Sequence, residues 1–343
     1  MKKKTGLIAA VAAGAFLATM ILAISTTVPP FRPKSSSLSP GPLAHTFSIV
    51  ARDPQSGELG VAVQSHWFSV GSLVSWAEAG VGAIATQSFV NVSFGPRGLE
   101  LLRQGKDAAA TLQLLLSDDP GRDFRQVAIV DSRGNVATHT GRSCIPAAGH
   151  FTGTNFSVQA NMMLNDTVWP AMARAYQNST GEKLAERLIA TLEAGQEAGG
   201  DIRGQQSAAL LVVRGQSTGK SWDDRLIDLR VEDHPRPIQE LKRLLRVFRA
   251  YEHMNRGDLA VEKNDLAGAL QEYGQAETMF PDNLEMKFWH AVAMANNGRV
   301  TDALPLFKEI FARDANWRTL TKRLPAVNQL LVTPADLKRI LGQ

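Results

Sequence analysis

The sequence predicts an α+β protein in which a four-layer αββα antiparallel sandwich is followed by an all-α region. Three observations support this fold class. Runs of strand-like alternation are separated by groups of helical pattern, and the strict β-α-β alternation of a parallel doubly wound sheet is missing. Beyond residue 236 the pattern is helical alone and repeats with a period of 34 residues. With 343 residues, the chain has room for two domains, each with its own core.

Composition and charge argue against several classes of function. The formal net charge is only +4, and no basic stripe with interleaved aromatic residues occurs, so the sequence does not predict nucleic-acid binding. The single cysteine, Cys144, rules out an intramolecular disulfide, and we expect it to be a small buried side chain rather than a nucleophile. Because His66, His139 and His150 lack the spacing of metal ligands, we expect no metal site and no cofactor.

The N-terminus carries a targeting segment. Three lysines at residues 2–4 precede an uncharged apolar run of 19 residues, 6–24. Residues 1–25 are therefore either a signal peptide, cleaved after the small residues Ala23 and Ser25, or an uncleaved membrane anchor with the lysines in the cytoplasm. Both alternatives place the remainder in the periplasm or outside the cell. Residues 26–44 are rich in Pro and Ser and predict an extended linker.

The first folded domain is predicted over residues 45–233. Alternation of apolar and polar residues begins at Thr46, and two strands, 46–51 and 59–64, flank turn-forming residues 53–57 and predict a hairpin. Further strands are predicted at residues 73–76, 80–86, 123–131, 134–140, 156–160, 206–213 and, as an edge strand, 225–231. Helices are predicted at residues 95–116, with a break at residues 105–107, and at residues 168–176 and 182–194.

The second domain, residues 236–343, is predicted to be helical throughout and to resemble tetratricopeptide repeats. It opens with a helix at 238–251 and closes with one at 334–341, which we expect to cap the repeats. Such a module presents a concave surface to a protein partner; the alternative is an oligomerisation or packing module. Small and aromatic residues occupy the repeat's signature positions at Gly257, Ala269, Tyr273, Ala276 and Pro281, and less closely 34 residues later at Ala291, Ala303, Phe307, Ile310 and Ala315.

Thr46 is the candidate catalytic nucleophile. A threonine hydroxyl needs a base within hydrogen-bond reach, and the free α-amine of an N-terminal threonine can serve as that base. Because His45 precedes Thr46, the chain would first have to be cleaved between them, by autoproteolysis or by another protease. Ser65 ends the second strand of the hairpin and is expected near Thr46 as a second catalytic residue. Alternatively, Thr46 is a strand residue without a catalytic role, and Ser65 only makes a hydrogen bond at the end of its strand.

Polar side chains at strand ends are the candidate binding residues. Thr86, Gln87 and Asn91 follow one apolar strand, and Gln159 and Asn161 follow another. Such side chains either orient an amide substrate and stabilise an oxyanion or satisfy the backbone of the loops in which they lie.

A glycine-rich turn at residues 199–206 leads into a strand that is apolar enough to be central. Asp201, Arg203 and Gln206 lie in this turn and either bind a charged end of a substrate or hold the turn together. The turn is not a phosphate-binding loop, because the Gly-Lys-Ser/Thr sequence is missing and a strand follows where a helix is required.

Four segments, in this order and at this spacing, resemble the DUF1028 family: residues 45–53 (HTFSIVARD), 82–87 (GAIATQ), 125–131 (RQVAIVD) and 199–209 (GGDIRGQQSAA). The resemblance extends over residues 45–225. That family is grouped with the N-terminal-nucleophile hydrolases, and the order of elements also resembles a proteasome β-subunit. The chain departs from the proteasome pattern at Ser65, where that family carries an acidic residue that orients a catalytic lysine. This departure argues against proteasome-like peptidase chemistry.

Taken together, the residues and the resemblance predict an exported amide-bond hydrolase. Thr46 would attack a peptide or a cell-envelope component, Gln87, Asn91 or Asn161 would hold the oxyanion, and the helical module would recruit a protein partner. The alternative is a non-catalytic envelope scaffold that uses the sandwich to bind a ligand and the repeats for assembly. Association into a homo-oligomer is compatible with both, since sandwiches of this type commonly associate.

Overall fold

The computed structural model describes residues 43–343. The predictions of a signal peptide or anchor, and nearly all of the predicted linker, fall on residues 1–42 and lie outside the described residues. Leu43 and Ala44, which the sequence assigned to the linker, form a short strand, β1. Within residues 43–343, no helix combines the length and the apolar character that crossing a membrane requires.

Two antiparallel sheets form the centre of the first region. The strands are β1 (Leu43–Ala44), β2 (Thr46–Arg52), β3 (Leu59–Ser65), β4 (Ser75–Glu78), β5 (Gly82–Phe89), β6 (Arg125–Asp131), β7 (Val136–Thr140), β8 (Gly149–Gly153), β9 (Phe156–Ala160), β10 (Ser207–Val213) and β11 (Arg225–Val231). The first sheet has the order β1-β5-β6-β7, with β4 also paired to β5. The second has the order β11-β10-β3-β2-β9-β8.

Helices cover both sheets and continue beyond them. Two single turns are α1 (Gly71–Val74) and α6 (Ser221–Asp224). The longer helices are α2 (Phe94–Arg103), α3 (Ala108–Ser117), α4 (Val168–Asn178), α5 (Leu184–Glu197), α7 (Pro237–Glu262), α8 (Leu266–Met279), α9 (Leu284–Asn296), α10 (Val300–Arg313), α11 (Asn316–Arg323) and α12 (Pro334–Leu341), with 3-10 turns at Arg122–Phe124 and Leu324–Val327.

The side chains of the central strands point alternately into the space between the sheets and towards the outer helices, which produces four layers. On β2, Val50 packs between the sheets, whereas Phe47 and Ile49 pack outward against α4 and α5. On β5, Ala85 packs between the sheets and Ile84 packs outward against α2 and α3. The first region is therefore a mixed α/β structure with antiparallel sheets inside and helices on both outer faces.

Helix α7 joins this region to the helices that follow. Its first half contributes Ile238, Leu241 and Leu245 to the core on the outer face of the second sheet. Its second half contributes Ala250 and Met254 to a separate core shared with α8 and α9. The last buried core of the chain lies around α9 to α12.

Most predicted elements are present, and the largest differences concern residues 73–76, strand β8 and helix α7. Residues 73–76, predicted as a strand, instead cover the end of the turn α1 and the start of β4. Strand β8 was not predicted, since three of its five residues are exposed and give no apolar alternation. Helix α7 continues to Glu262 instead of ending at residue 251. Helices α8 and α10 begin and end 34 residues apart, at 266 and 300 and at 279 and 313.

Candidate functional site

One end of the space between the sheets is lined by polar side chains. On β2, Thr46 and Ser48 face the first sheet, ahead of the apolar Val50. Thr46 is the register partner of Ser65 on β3, and Ser65 is the partner of Ser207 on β10. Across the space, Gln87 on β5 is the partner of Gln126 on β6. We call this region the polar end; it is lined by Thr46, Ser48, Ser65, Gln87, Gln126, Gln159 and Asn161, all of them fully buried.

The peptide bond that precedes Thr46 is held by two donors. The carbonyl oxygen of His45 accepts a hydrogen bond from the Ser65 hydroxyl at 2.6 Å and another from Nη2 of Arg203 at 2.8 Å. The Thr46 hydroxyl donates to the Ala44 carbonyl at 2.7 Å, and its oxygen lies 3.2 Å from the Ser65 oxygen. A hydroxyl group and a guanidinium cation thus point at the carbonyl beside the candidate nucleophile.

The turn before β10 fixes the position of Arg203. Asp201 accepts two hydrogen bonds from the Arg203 guanidinium, at 2.8 Å and 3.0 Å, and a third from the backbone nitrogen of His66. The carboxylate of Asp201 is fully buried, while the Arg203 side chain is a quarter exposed. Gly199 has φ of +127°, a conformation that favours glycine in this turn. A bidentate charge-assisted pair holds the guanidinium more rigidly than one contact would.

A network of buried amides lies behind Thr46, and Gln126 is at its centre. Its Oε1 accepts from Nε2 of Gln87 at 2.7 Å and from Nδ2 of Asn161 at 2.9 Å. Its own Nε2 lies 2.9 Å from the Ala160 carbonyl. Both Gln87 and Asn161 also donate to the carbonyl of Thr46, at 3.2 Å and 3.4 Å. The network therefore holds the backbone on the C-terminal side of Thr46.

His45 is buried against the same network. Its Nδ1 lies 2.9 Å from Oδ1 of Asn161, and the edge of its ring packs on Phe89. Burial lowers the pKa of the His45 imidazole; the hydrogen bond to Asn161 opposes this effect, and the Arg203 cation adds to it. His45 is therefore neutral around neutral pH.

The structure brings most of the predicted site residues together. Thr46, Ser65, Gln87, Asn161, Asp201 and Arg203 all belong to the contacts described above. Gln159 donates to Ser48 at 2.5 Å, within the polar end.

Three predicted residues lie elsewhere or contribute differently. Thr86 is on the opposite face of β5 and donates to the backbone carbonyl of Asn91. Asn91 accepts from Ser93 in the following turn. Gln206 contacts the site through its backbone nitrogen, which donates to the carbonyl of Ser65 at 3.1 Å.

Gln126 and Ser48 belong to the site but were not predicted from the sequence. A signal for both was present, because each lies in phase with inward-facing residues of its own strand: Gln126 with Ala128, and Ser48 with Val50. A polar side chain in an inward position of a buried strand predicts a hydrogen-bonded network.

Cys144 and the histidines were the other side chains considered for chemistry. Cys144 is buried, as predicted, and burial raises the pKa of its thiol, which disfavours the reactive thiolate. His150 donates to or accepts from the Thr140 hydroxyl at 2.8 Å. Within the described part of the chain, no three His, Cys, Asp or Glu side chains are grouped so as to hold a metal ion.

The fold and the site define a mixed α/β protein with antiparallel sheets and a helical C-terminal region. The chain belongs to the DUF1028 family, described as a family of unknown function, whose model matches residues 46–241. It is similar to the crystal structure of a DUF1028 protein from Silicibacter pomeroyi, at 32% sequence identity and a TM-score of 0.53; the match covers 59% of this chain and 85% of that chain.

Two further results complete the comparisons. The ancestral β-subunit Anbu from Yersinia bercovieri matches at 11% identity and a TM-score of 0.31, covering 58% of this chain and 92% of that one. A TM-score of this size does not establish a common fold. No curated protein matches the chain.

Proposed function

We propose that this protein is an amide-bond hydrolase of the N-terminal-nucleophile type, with Thr46 as its nucleophile. The observation that carries the proposal is the pair of donors on the His45 carbonyl, Ser65 and Arg203. Donors aimed at a carbonyl oxygen stabilise the negative charge that develops there when the carbonyl carbon is attacked. Here that carbonyl precedes a threonine whose hydroxyl is already in contact with one of the two donors.

The same geometry suits cleavage of the chain by itself. The Thr46 hydroxyl oxygen bonds to the carbonyl carbon of His45, and the oxyanion is held by Ser65 and Arg203. The carbon–nitrogen bond then breaks, and the hydroxyl proton passes to the Thr46 nitrogen. Water hydrolyses the resulting ester, which leaves a carboxylate on His45 and a free hydroxyl and amine on Thr46. The freed amine is the general base for later substrates.

In the cleaved protein, the two donors become available to a substrate. Ser65 and Arg203 would hold the substrate oxyanion, a role that the sequence assigned to Gln87, Asn91 or Asn161. Gln87 and Asn161 contact the carbonyl of Thr46 itself and would instead position the nucleophile. Ser65 cannot orient a lysine as the acidic residue of a proteasome subunit does, so the base is the α-amine alone.

The surroundings of the polar end favour a peptide-like substrate with apolar side chains. Ile202 lies between Asp201 and Arg203, and its side chain is 58% exposed. Leu164, also 58% exposed, is joined through its backbone to Gly200. Phe68, three residues after Ser65, is 62% exposed. Exposed apolar side chains beside a catalytic centre are typical of a surface that binds a partner or substrate.

A second function is favoured by the state of Thr46 in the intact chain. There Thr46 has no free amine, is fully buried and already donates its hydrogen bond to Ala44. A chain that is never cut would serve as an envelope scaffold, with the sandwich binding a ligand and the helices assembling a partner. In either case we infer export from the N-terminal segment, and a tetratricopeptide-like recruiting role for the helical region from its 34-residue period.

The experiment that separates the two functions follows the intact mass and N-terminal sequence of the purified full chain over time. A hydrolase yields a fragment that begins at Thr46, and Thr46→Ala abolishes this fragment. The matched control is Thr111→Ala on α3, a buried threonine whose hydroxyl has no partner, and it should be cleaved like the parent. The cleaved protein is then offered short chromogenic amides with apolar side chains. An intact chain under all conditions, with no amide hydrolysis, would favour the scaffold.

A further inference from the structure

The helices α7, α8 and α9 enclose a groove of about 490 Å³. We call it the helical groove. Its apolar lining consists of four buried side chains, Met254, Ala269, Val292 and Ala293. A groove of this size holds several side chains of an extended segment but not a folded domain.

Aromatic side chains also line the helical groove, and of these Tyr251 is exposed whereas Tyr273 is buried. Tyr251 donates to the Glu285 carboxylate at 2.8 Å, and Tyr273 donates to the Asp258 carboxylate at 2.7 Å. Trp289 lines the same space. Aromatic faces next to carboxylates form favourable surroundings for a cation, because both the ring quadrupole and the negative charge attract it.

Three carboxylates line the helical groove without a cationic partner. Asp258, Glu262 and Glu285 make no ion pair with a Lys, Arg or His anywhere in residues 43–343. The neighbouring carboxylate Glu272, which lies outside the groove, pairs with both Arg256 and His253. Negative charge has therefore been left uncompensated inside the groove, while it is neutralised next to it.

We propose that the helical groove binds an extended peptide segment of a partner protein in which a lysine or arginine is flanked by apolar residues. The cation would lie against the exposed ring of Tyr251 and pair with the carboxylates, and the flanking side chains would cover the apolar residues of the groove. Complementary charge fixes which partners are accepted and how fast they bind. The proposal rests on the recruiting role proposed for the helical region, and it does not depend on the hydrolase activity.

The test uses the full chain carrying Thr46→Ala, so that hydrolysis cannot destroy the probe. Three labelled peptides are compared by fluorescence polarisation; they share flanking leucines and differ only in a central arginine, glutamine or glutamate. We expect the arginine peptide to bind about tenfold more tightly than the glutamine peptide and to weaken as salt is added. The combined change Asp258→Asn and Glu285→Gln should remove this preference. Asp282→Asn, which removes one exposed carboxylate of the same region outside the groove, should not.

Two results would overturn the proposal. Equal affinity for the three peptides would show that charge does not select the occupant. Absence of binding by any peptide, with thermal unfolding showing every variant to be folded, would remove the groove as a peptide site and weaken the recruiting role. Neither result bears on the hydrolase proposal, because cleavage before Thr46 is measured separately, from the intact mass of the parent chain.

Discussion

Arg203 donates a hydrogen bond to the carbonyl of His45, 158 residues earlier in the chain. In the proposed cleavage this contact holds the oxyanion. Arg203→Lys keeps the positive charge but cannot hold both oxygens of Asp201 and the carbonyl together. We expect release of the chain that begins at Thr46 to slow by about 100-fold, the usual effect of losing one oxyanion donor. The measurement is the time course of intact mass.

A control separates this effect from a general change of charge or fold. Arg142→Lys alters an exposed arginine that pairs with Asp123 on the surface. It should leave the rate of release unchanged. If Arg203→Lys releases the fragment as fast as the parent does, Arg203 is not an oxyanion donor and its role is to hold the turn around Asp201.

The buried imidazole of His45 makes stability depend on pH. Burial lowers the pKa of His45 below its ordinary value of 6.5, and burial together with the charge of His139 lowers that of His150 in the same direction. Below about pH 6.5 these two histidines bind more protons in the unfolded chain than in the folded chain. The free energy of unfolding therefore falls as the pH falls. The contribution of these histidines to the free energy of unfolding should be fully present above about pH 6.5 and decline below it.

His45→Gln should make this decline shallower, because one of the two imidazoles with a lowered pKa is gone. Urea unfolding between about pH 8 and pH 5 measures the slope for the parent and for the variant. Thr111→Ala, which removes no ionisable group, serves as the control and should keep the parent's slope. An unchanged slope in the His45 variant would mean that His150 alone carries the dependence.

The residues of the polar end could be predicted only in part. The hairpin fixed the closeness of Thr46 and Ser65, because turn chemistry and alternation determine the register of neighbouring strands. The contact between Arg203 and His45 depends on how the two sheets and the turn before β10 meet, which no local pattern contains. The sequence assigned the oxyanion role to Gln87, Asn91 or Asn161, and no local pattern shows that Gln87 and Asn161 contact the carbonyl of Thr46 rather than that of His45.

At the scale of elements, close packing of helices decides the stability of the C-terminal region. A Cβ atom at Gly257 on α7 would lie 2.5 Å from the ring of Tyr273 on α8. Gly257→Ala should therefore destabilise the region by about 1–3 kcal/mol, although alanine is the better helix former by about 1 kcal/mol. Gly274→Ala is the control, because its Cβ would approach the His290 ring only to 3.3 Å. Thermal unfolding that ranked the two variants in the opposite order would contradict this account.

Elements were predictable where burial follows a regular period and were missed where it does not. Strand β10, buried on both faces, was predicted from its continuous apolar run, and β3 was predicted from its place in the hairpin with β2. Strand β8 has three exposed residues and lies at the edge of the sheet, where it pairs with a single strand, β9. Helix α7 runs past the predicted end because α8 covers its second half, and packing of that kind overrides local preference.

At the scale of the whole molecule, α7 ties the sandwich to the helices beyond it. Residues of its first half lie in the core on the outer face of the second sheet. Arg249 forms a bidentate ion pair with Glu186 on α5, at 2.9 and 3.0 Å. The family match accordingly ends inside α7, at residue 241, rather than at the joint before it. The sandwich is therefore incomplete without the first half of a helix that the sequence assigned to the second domain.

Two shortened chains test this dependence. A chain that ends at residue 235 loses Ile238, Leu241 and Leu245 from the core. Loss of one such side chain costs about 2–5 kcal/mol, and three together rival the whole stability of a domain, about 5–15 kcal/mol. We expect this chain to unfold or aggregate, whereas one that ends at residue 252 keeps all three side chains and the Arg249 ion pair and should fold. Urea unfolding and size-exclusion chromatography compare the two; equal stability would show that the sandwich needs no part of α7.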